Sequence, residues 1–126
     1  MGVVVDSSVV LAVLRNEVGS ERAALALADA QLSSVNAAEV ITCLIDLGYT
    51  PDRAAYALSR FRLTIVSFDD EQAVLAGRLR ADTHRRGLSL GDRACVALAT
   101  REKATALTAD RNWADLDLPC KVELIR

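Results

Sequence analysis

The sequence predicts an α/β fold: a single domain over residues 1–126, with a mostly parallel central sheet flanked by helices. Two observations carry this. Short β-branched or apolar runs alternate with amphipathic stretches of about ten residues or more, and strands separated in that way need crossover connections, which set them parallel beneath helices. The 126 residues, 52% hydrophobic and 25% charged, suffice for one core burying roughly two-thirds of the unfolded chain's surface. No linker, low-complexity tract, Gly-rich phosphate loop or repeat divides the chain.

Taken in order, Val3–Val5 is a β-branched run that stops at Asp6. Ser7 and Ser8 then offer hydroxyl caps to a helix carrying Val9, Val10, Leu11, Val13 and Leu14. Gly19 and Ser20 restart a helix over Glu21–Ala30, and Leu32–Val35 reads as the second strand. From Asn36, the residues Ala37, Val40, Ile41, Leu44 and Ile45 recur at helical spacing, with Glu39 in the first turn and Gly48 at the end. Thr50 and Pro51 supply a cap and a first-position proline for a helix with Ala54, Ala55, Ala57 and Leu58. Leu63–Val66 is the third strand. Asp69, Asp70 and Glu71 suit the positive end of one long helix running to about Arg86, closed by cationic residues and Gly87. The run Leu88-Ser89-Leu90-Gly91-Asp92-Arg93 opens a helix through Ala94, Val96, Ala97 and Leu98. Thr105–Thr108 is a fourth strand ending at Ala109 and Asp110, and Lys121–Ile125 is a fifth.

Several classes drop out. Cys43, Cys95 and Cys120 are odd in number, lack C-x-x-C spacing and sit among apolar neighbours, so reduced, buried thiols are expected rather than a disulfide frame or zinc site. The start from Met1 to Asp6 lacks the basic region of an export signal, has Asp where a myristoylation sequence wants Ser or Thr, and meets charge too early to span a bilayer. A cytoplasmic location and no membrane partner are expected.

The chemistry is expected at the carboxyl ends of the strands, where open α/β sheets place their ligand crevice. Asp6 ends the first strand, Glu39 lies one turn into the helix after the second, Asp92 starts the helix before the fourth, and Asp110 lies just past the fourth. Like charges gathered on one edge raise one another's pKa, and a hard divalent cation removes that cost. Oxygen donors without His or Cys favour magnesium or manganese over zinc or copper. The lone histidine, His84, sits in a basic helix end and suits a solvated or capping role. Such an ion, with a substrate phosphate on it, activates water and stabilises charge on a phosphodiester. Metal-dependent phosphodiester hydrolysis is therefore expected.

Each acid also has a plainer explanation. Glu39 follows Asn36, and Asp92 follows Ser89, at capping-box spacing, and Asp110 could cap a short helix through Trp113. Asp6 resists this, because it interrupts an apolar stretch between Val5 and Val9, where an unused charge destabilises. Their convergence on one edge favours the functional reading.

The segments Val3-Val4-Val5-Asp6-Ser7-Ser8, Ser34-Val35-Asn36-Ala37-Ala38-Glu39-Val40, Leu88-Ser89-Leu90-Gly91-Asp92-Arg93-Ala94-Cys95, Leu107-Thr108-Ala109-Asp110-Arg111-Asn112-Trp113 and the closing Val122-Glu123-Leu124-Ile125 resemble the PIN-domain ribonucleases. Within these the chain is most similar to VapC toxins of bacterial and archaeal toxin-antitoxin pairs. The resemblance runs in order along essentially the whole chain. It implies a PIN-like fold and a Mg2+- or Mn2+-dependent endoribonuclease with Asp6, Glu39, Asp92 and Asp110 as its acidic quartet. Asp6 and Asp92 would be the principal metal ligands, Asp110 would complete the cluster, and Glu39 would orient or deprotonate the attacking water or bind a second ion. Ser8, Thr108 and Asn112 would hold those carboxylates. The family further implies an RNA substrate, a homodimer and a cognate VapB-like antitoxin whose tail covers the acidic groove, where a basic side chain would complement the quartet.

RNA contact is expected through phosphates. Tyr49, Tyr56, Phe61, Phe68 and Trp113 mostly occupy apolar positions that suggest core, which disfavours a base-stacking platform. Of 15 basic residues 13 are Arg, and Arg78, Arg80, Arg85, Arg86, Arg93, Arg101 and Lys103 concentrate around Asp92, with Arg93 the expected RNA contact. The net charge of −2 conceals an asymmetry: residues 1–52 carry 2 basic and 7 acidic side chains, and residues 53–126 carry 13 and 10. An acidic metal pocket in a mildly basic domain is the result.

Rival functions fit less well. A receiver-type phosphoacceptor domain needs paired acids after the first strand and a Lys near the end of the last, whereas here one acid stands alone and Lys121 begins the last strand. A haloacid-dehalogenase phosphatase needs Asp-x-Asp, and Ser8 occupies the second position. A non-catalytic RNA- or partner-binding member of the same fold is opposed only by the intact quartet.

Overall fold

The computed structural model describes residues 2–126. Five short strands, β1 (Val3–Val5), β2 (Gln31–Ser33), β3 (Thr64–Val66), β4 (Thr105–Thr108) and β5 (Val122–Leu124), form one sheet in the order β3-β2-β1-β4-β5. All four pairings are parallel, as the alternation of strands and helices predicts. This order is not the 2-1-3-4-5 arrangement of receiver domains, because here β1 lies at the centre and the order reverses between β1 and β4.

β1 is a continuous apolar run because both of its faces are covered. Val4 and Val5 are fully buried and point to opposite sides. Val5 packs with Val9 and Val10 of α1 (Ser7–Leu14), Leu27 of α2 (Ser20–Leu27), Val40 and Leu44 of α3 (Ser34–Asp46) and Leu58 of α4 (Pro51–Ser59). On the other face Val4 packs with Leu79, which follows α5 (Asp70–Arg78), with Leu88, with Cys95, Val96 and Leu98 of α7 (Leu90–Glu102), and with Trp113. Each fully buried Val or Leu stabilises the fold by about 1.5–3 kcal/mol, so these two layers hold the strand ends in register. Val5 aligns with Leu107, which brings Asp6 and Thr108 to the same level.

Several boundaries differ from expectation for local reasons. Asp6, rather than Ser7 or Ser8, caps α1, its side chain accepting from the Val9 N–H. The second strand ends at Ser33 instead of Val35, because the Ser33 side chain accepts from Val35 N and starts α3 two residues ahead of Asn36. The helix expected over Glu21–Ala30 is Ser20–Leu27. It is entered through Gly19 at φ +91°, where a Cβ would meet the Ile125 carbonyl oxygen at 2.7 Å. The third and fifth strands are shorter than expected at their ends.

The long helix expected to reach Arg86 is broken. α5 stops at Arg78, Asp82 N donates to the Leu79 carbonyl three residues back, and the Thr83 hydroxyl donates to the same oxygen. A short α6 (Arg80–Thr83) and a 3-10 turn (His84–Arg86) then end at Gly87, φ +66°. Among the aromatics only Trp113 is in the core. Phe61 and Phe68 are half-buried, while Tyr49 and Tyr56 are 39% and 61% exposed. α4 buries Ala54 and Leu58, four residues apart, and so turns Tyr56 outward. Cys95 is buried, Cys43 and Cys120 are half-buried, and all three are free. Among the described residues no helix is long and apolar enough to cross a membrane.

Candidate active site

The point where the strand order reverses, outside the carboxyl ends of β1 and β4, is where sheets of this kind form a crevice. Asp6 leaves β1 into it and is only 3% exposed. Its carboxylate accepts from the Ser8 hydroxyl, from Thr108 Oγ1 at 2.7 Å and from Val9 N at 3.3 Å. The two hydroxyls are themselves fixed from the β4 side: Ala109 N donates to Ser8 Oγ at 2.9 Å, and Asp110 N to Thr108 Oγ1 at 3.0 Å. Each hydroxyl thus accepts one backbone N–H and gives its one proton to Asp6. Burial nonetheless pushes the Asp6 pKa up to about 6, against the pull of Ser8 and Thr108 and helped by the charge of Asp92.

Asp92 is carried on the first turn of α7. Its Oδ2 accepts from Ser89 N at 2.8 Å while Ser89 Oγ accepts from Asp92 N, a reciprocal capping box. Burial raises its pKa first, and the charges of Asp110 and Glu39 raise it further. Asp110 caps the 3-10 turn Arg111–Trp113 with Oδ1 on Asn112 N, 2.9 Å. Glu39, on α3, accepts at Oε1 from Asn36 Nδ2 (2.8 Å) and Ser7 Oγ (3.1 Å). Glu39 is not part of a capping box on Asn36, because Ser33 is the cap and Asn36 grips the carboxylate by its side-chain amide.

All four acids therefore lie at one end of the sheet, where the charge of Asp92 acts on Asp6 and those of Asp110 and Glu39 act on Asp92. None takes part in an ion pair among the described residues. Among the described residues no three acid, thiol or imidazole groups converge closely enough to enclose an ion unaided. An all-oxygen set of uncompensated, partly buried carboxylates fits a hard cation such as Mg2+, which keeps several waters and takes substrate oxygens for its remaining positions.

The other expected site residues fall differently. Ser8 and Thr108 touch Asp6 directly. Asn112 reaches Asp110 only through its backbone N–H, with its side chain exposed. Arg93 is half-buried and donates to the carbonyls of Ala76 (3.0 Å) and Leu88 (3.4 Å), so its guanidinium ties α7 to α5 and to the preceding loop rather than lying over the acids. Sequence reasoning missed Ser7 and the second role of Asn36, whose Nδ2 also donates to the Gly91 carbonyl at 3.0 Å. The three-residue spacing of Asn36 and Glu39 on one helix face was the available signal.

A parallel sheet with carboxylates gathered at its order reversal defines a class of acid-bearing α/β proteins. The model of the PIN domain family matches residues 3–118, and the chain belongs to that family, whose members are generally nucleases. Its fold is similar to that of a chain in the DNA-bound VapBC structure of Salmonella typhimurium, with TM-score 0.77, 20% identity and coverage of 100% of this chain and 99% of that one. It is likewise similar to VapBC2 of Rickettsia felis bound to a promoter DNA fragment (TM-score 0.75, 18% identity, 98% of each chain). A toxin-antitoxin complex of Klebsiella pneumoniae matches at TM-score 0.72 and 18% identity, over 95% of this chain and 99% of that one. No curated protein matches by sequence.

Proposed function

We propose that this chain is a metal-dependent endoribonuclease and the toxin of a VapBC-like pair. The observation that carries the reading is the set of four carboxylates at the sheet's order reversal, none of them paired with a Lys or Arg among the described residues. Asp6, Asp92 and Asp110 would hold Mg2+ or Mn2+, directly or through water. When bound, the ion would lower the pKa of a water and offset charge on the phosphodiester. The chain's own residues then do the rest. Ser8 and Thr108 keep Asp6 aimed, and the Ser89 box keeps Asp92 in place. Glu39 has Oε1 occupied by two donors, which leaves Oε2 to orient the attacking water and take its proton.

RNA would be held by phosphate contacts from Arg85 and Arg111, which are exposed and outside the ion pairs of the described residues. Arg111 directly follows Asp110, and Arg86 ties the two 3-10 turns together through the Asn112 carbonyl and Asp115. The exposed Tyr49 and Tyr56, beside Leu14 and Phe61, leave apolar surface for protein partners, in keeping with a homodimer and a VapB-like antitoxin. A cytoplasmic location suits three free thiols.

The test is cleavage of structured RNA by antitoxin-free protein with Mg2+ or Mn2+, beside EDTA and the variants Asp6→Asn and Asp92→Asn. Metal-dependent cleavage lost in both variants supports the reading; equal cleavage by the variants overturns it. The open spacing of the acids favours one second reading, a non-catalytic RNA- or partner-binding PIN domain, for which RNA binding without cleavage is expected.

A further inference from the structure

The first turn of α7 meets α3 at a position where α7 carries no side chain. Gly91 is buried, and a Cβ on it would stand 2.2–2.4 Å from the three carboxylate atoms of Glu39. Its carbonyl accepts from Asn36 Nδ2 at 3.0 Å, and the same nitrogen donates to Glu39 Oε1 at 2.8 Å. Asn36 is itself fully buried, and its Oδ1 has no hydrogen-bond partner among the described residues. The amide orientation is forced, since a flip would set Oδ1 against two acceptors.

Both choices are locally unfavourable. Glycine is a poorer helix residue than alanine, and a buried amide oxygen without a donor destabilises. One explanation covers both: only glycine lets the Glu39 carboxylate lie against the α7 backbone next to Asp92, and only an amide donor can tie that carboxylate to the Gly91 carbonyl. A leucine of the same shape as Asn36 would do neither job.

We propose that Asn36 and Gly91 form a cradle that seats Glu39 against the first turn of α7, and that both are positioning residues for the reaction. The proposal rests on the reading of Glu39 as the group that handles the attacking water. It deepens that reading by separating where Glu39 sits from whether it is present. A Cβ at position 91 meets the far end of a flexible side chain, so the carboxylate moves and the fold survives.

The experiment compares Gly91→Ala, Asn36→Leu, Glu39→Ala and the Gly91→Ala/Glu39→Ala double variant. The readouts are Tm, kcat and KM on a structured RNA with Mn2+, and the Asn36 side-chain amide resonance in 15N–1H spectra of the metal-free protein. Gly91→Ala is expected to keep Tm within about 3 °C of the wild type and KM within about twofold, and to lower kcat roughly tenfold or more toward the level of Glu39→Ala. The double variant is expected to be no slower than Glu39→Ala alone, since the alanine then has no carboxylate to displace. Asn36→Leu is expected to lower kcat likewise; if it does not fold, Gly91→Ala decides. The Asn36 amide resonance is expected to shift in both Gly91→Ala and Glu39→Ala. A folded Gly91→Ala with wild-type kcat, losses that multiply in the double variant, or an unmoved amide resonance overturns the cradle. Wild-type protein that cleaves no RNA overturns the nuclease reading instead, and the amide resonance still decides whether the cradle exists.

Discussion

Asp6 and Glu39 belong to the proposed site and are held in opposite ways. Asp6 is part of the sheet's end: it leaves a buried central strand, and its three donors come from the adjoining turn and from β4, the two hydroxyls among them fixed in turn by backbone N–H groups. Glu39 is half-buried on a helix, one oxygen gripped by Asn36 and Ser7, and its seat exists because Gly91 has no side chain. The strand half of the site is therefore inseparable from the core, whereas the helix half depends on one close approach that can be altered without unfolding the protein. A substitution in the first half should therefore change stability as well as activity, in either direction, and one in the second half activity alone.

The largest expected effect is Asp6→Asn. Cleavage should fall by about two to four orders of magnitude, while the metal-free protein at neutral pH becomes more heat-stable because a buried anion is replaced by a neutral amide. A loss of both stability and activity would make Asp6 a structural cap alone. Thr108→Val comes next. It removes the donor to Asp6 Oδ2, a buried hydrogen bond, and the acceptor of Asp110 N, a part-buried one; the buried loss should cost on the order of 1–3 kcal/mol by denaturant unfolding and the other less, together with a fall in cleavage. Unchanged cleavage in a destabilised Thr108→Val would uncouple the strand half from function.

The pH dependence of the metal-free protein is a third test. Asp6 titrates near 6 in the fold against an ordinary value of 3.8, so the folded state binds its proton more tightly than the unfolded chain does. Its contribution is fully present below about pH 4 and is lost as pH rises through 6, on the order of 3 kcal/mol in all. Tm of the wild type should fall over that window relative to Asp6→Asn. Millimolar Mg2+ should restore it at pH 7.5 and have little effect at pH 4.5. The smallest effects separate two arginines: Arg111→Ala should raise KM for RNA a few-fold at unchanged Tm, and Arg93→Ala should lower Tm with KM unchanged.

These contrasts also mark what the sequence made legible. Asp6 stood out because a charge interrupts a valine run, Asp92 because it opens the helix before the fourth strand, and Asp110 because it lies just past that strand. The parallel sheet followed from the same alternation. The grip on Glu39 was hidden, because it depends on a contact between Asn36 and Gly91, 55 residues apart, and on the absence of an atom. Arg93 looked available beside Asp92, but the next residue on a helix points about 100° away, here toward Ala76 and the α5 side. Tyr56 reads as apolar in sequence yet lies on the outer face of α4, since Ala54 and Leu58 take the inner one. The break after α5 lies in backbone hydrogen bonding around Leu79, which charge patterning at the helix ends does not report.

The proposed cation site of Asp6, Asp92 and Asp110 is probed by calorimetric titration of metal-free protein with Mn2+ at pH 7.5. Saturable binding by the wild type, lost in Asp6→Asn and in Asp92→Asn while both stay folded, is the expected result. Identical isotherms in all three proteins, or no binding by the wild type at millimolar metal, would contradict it.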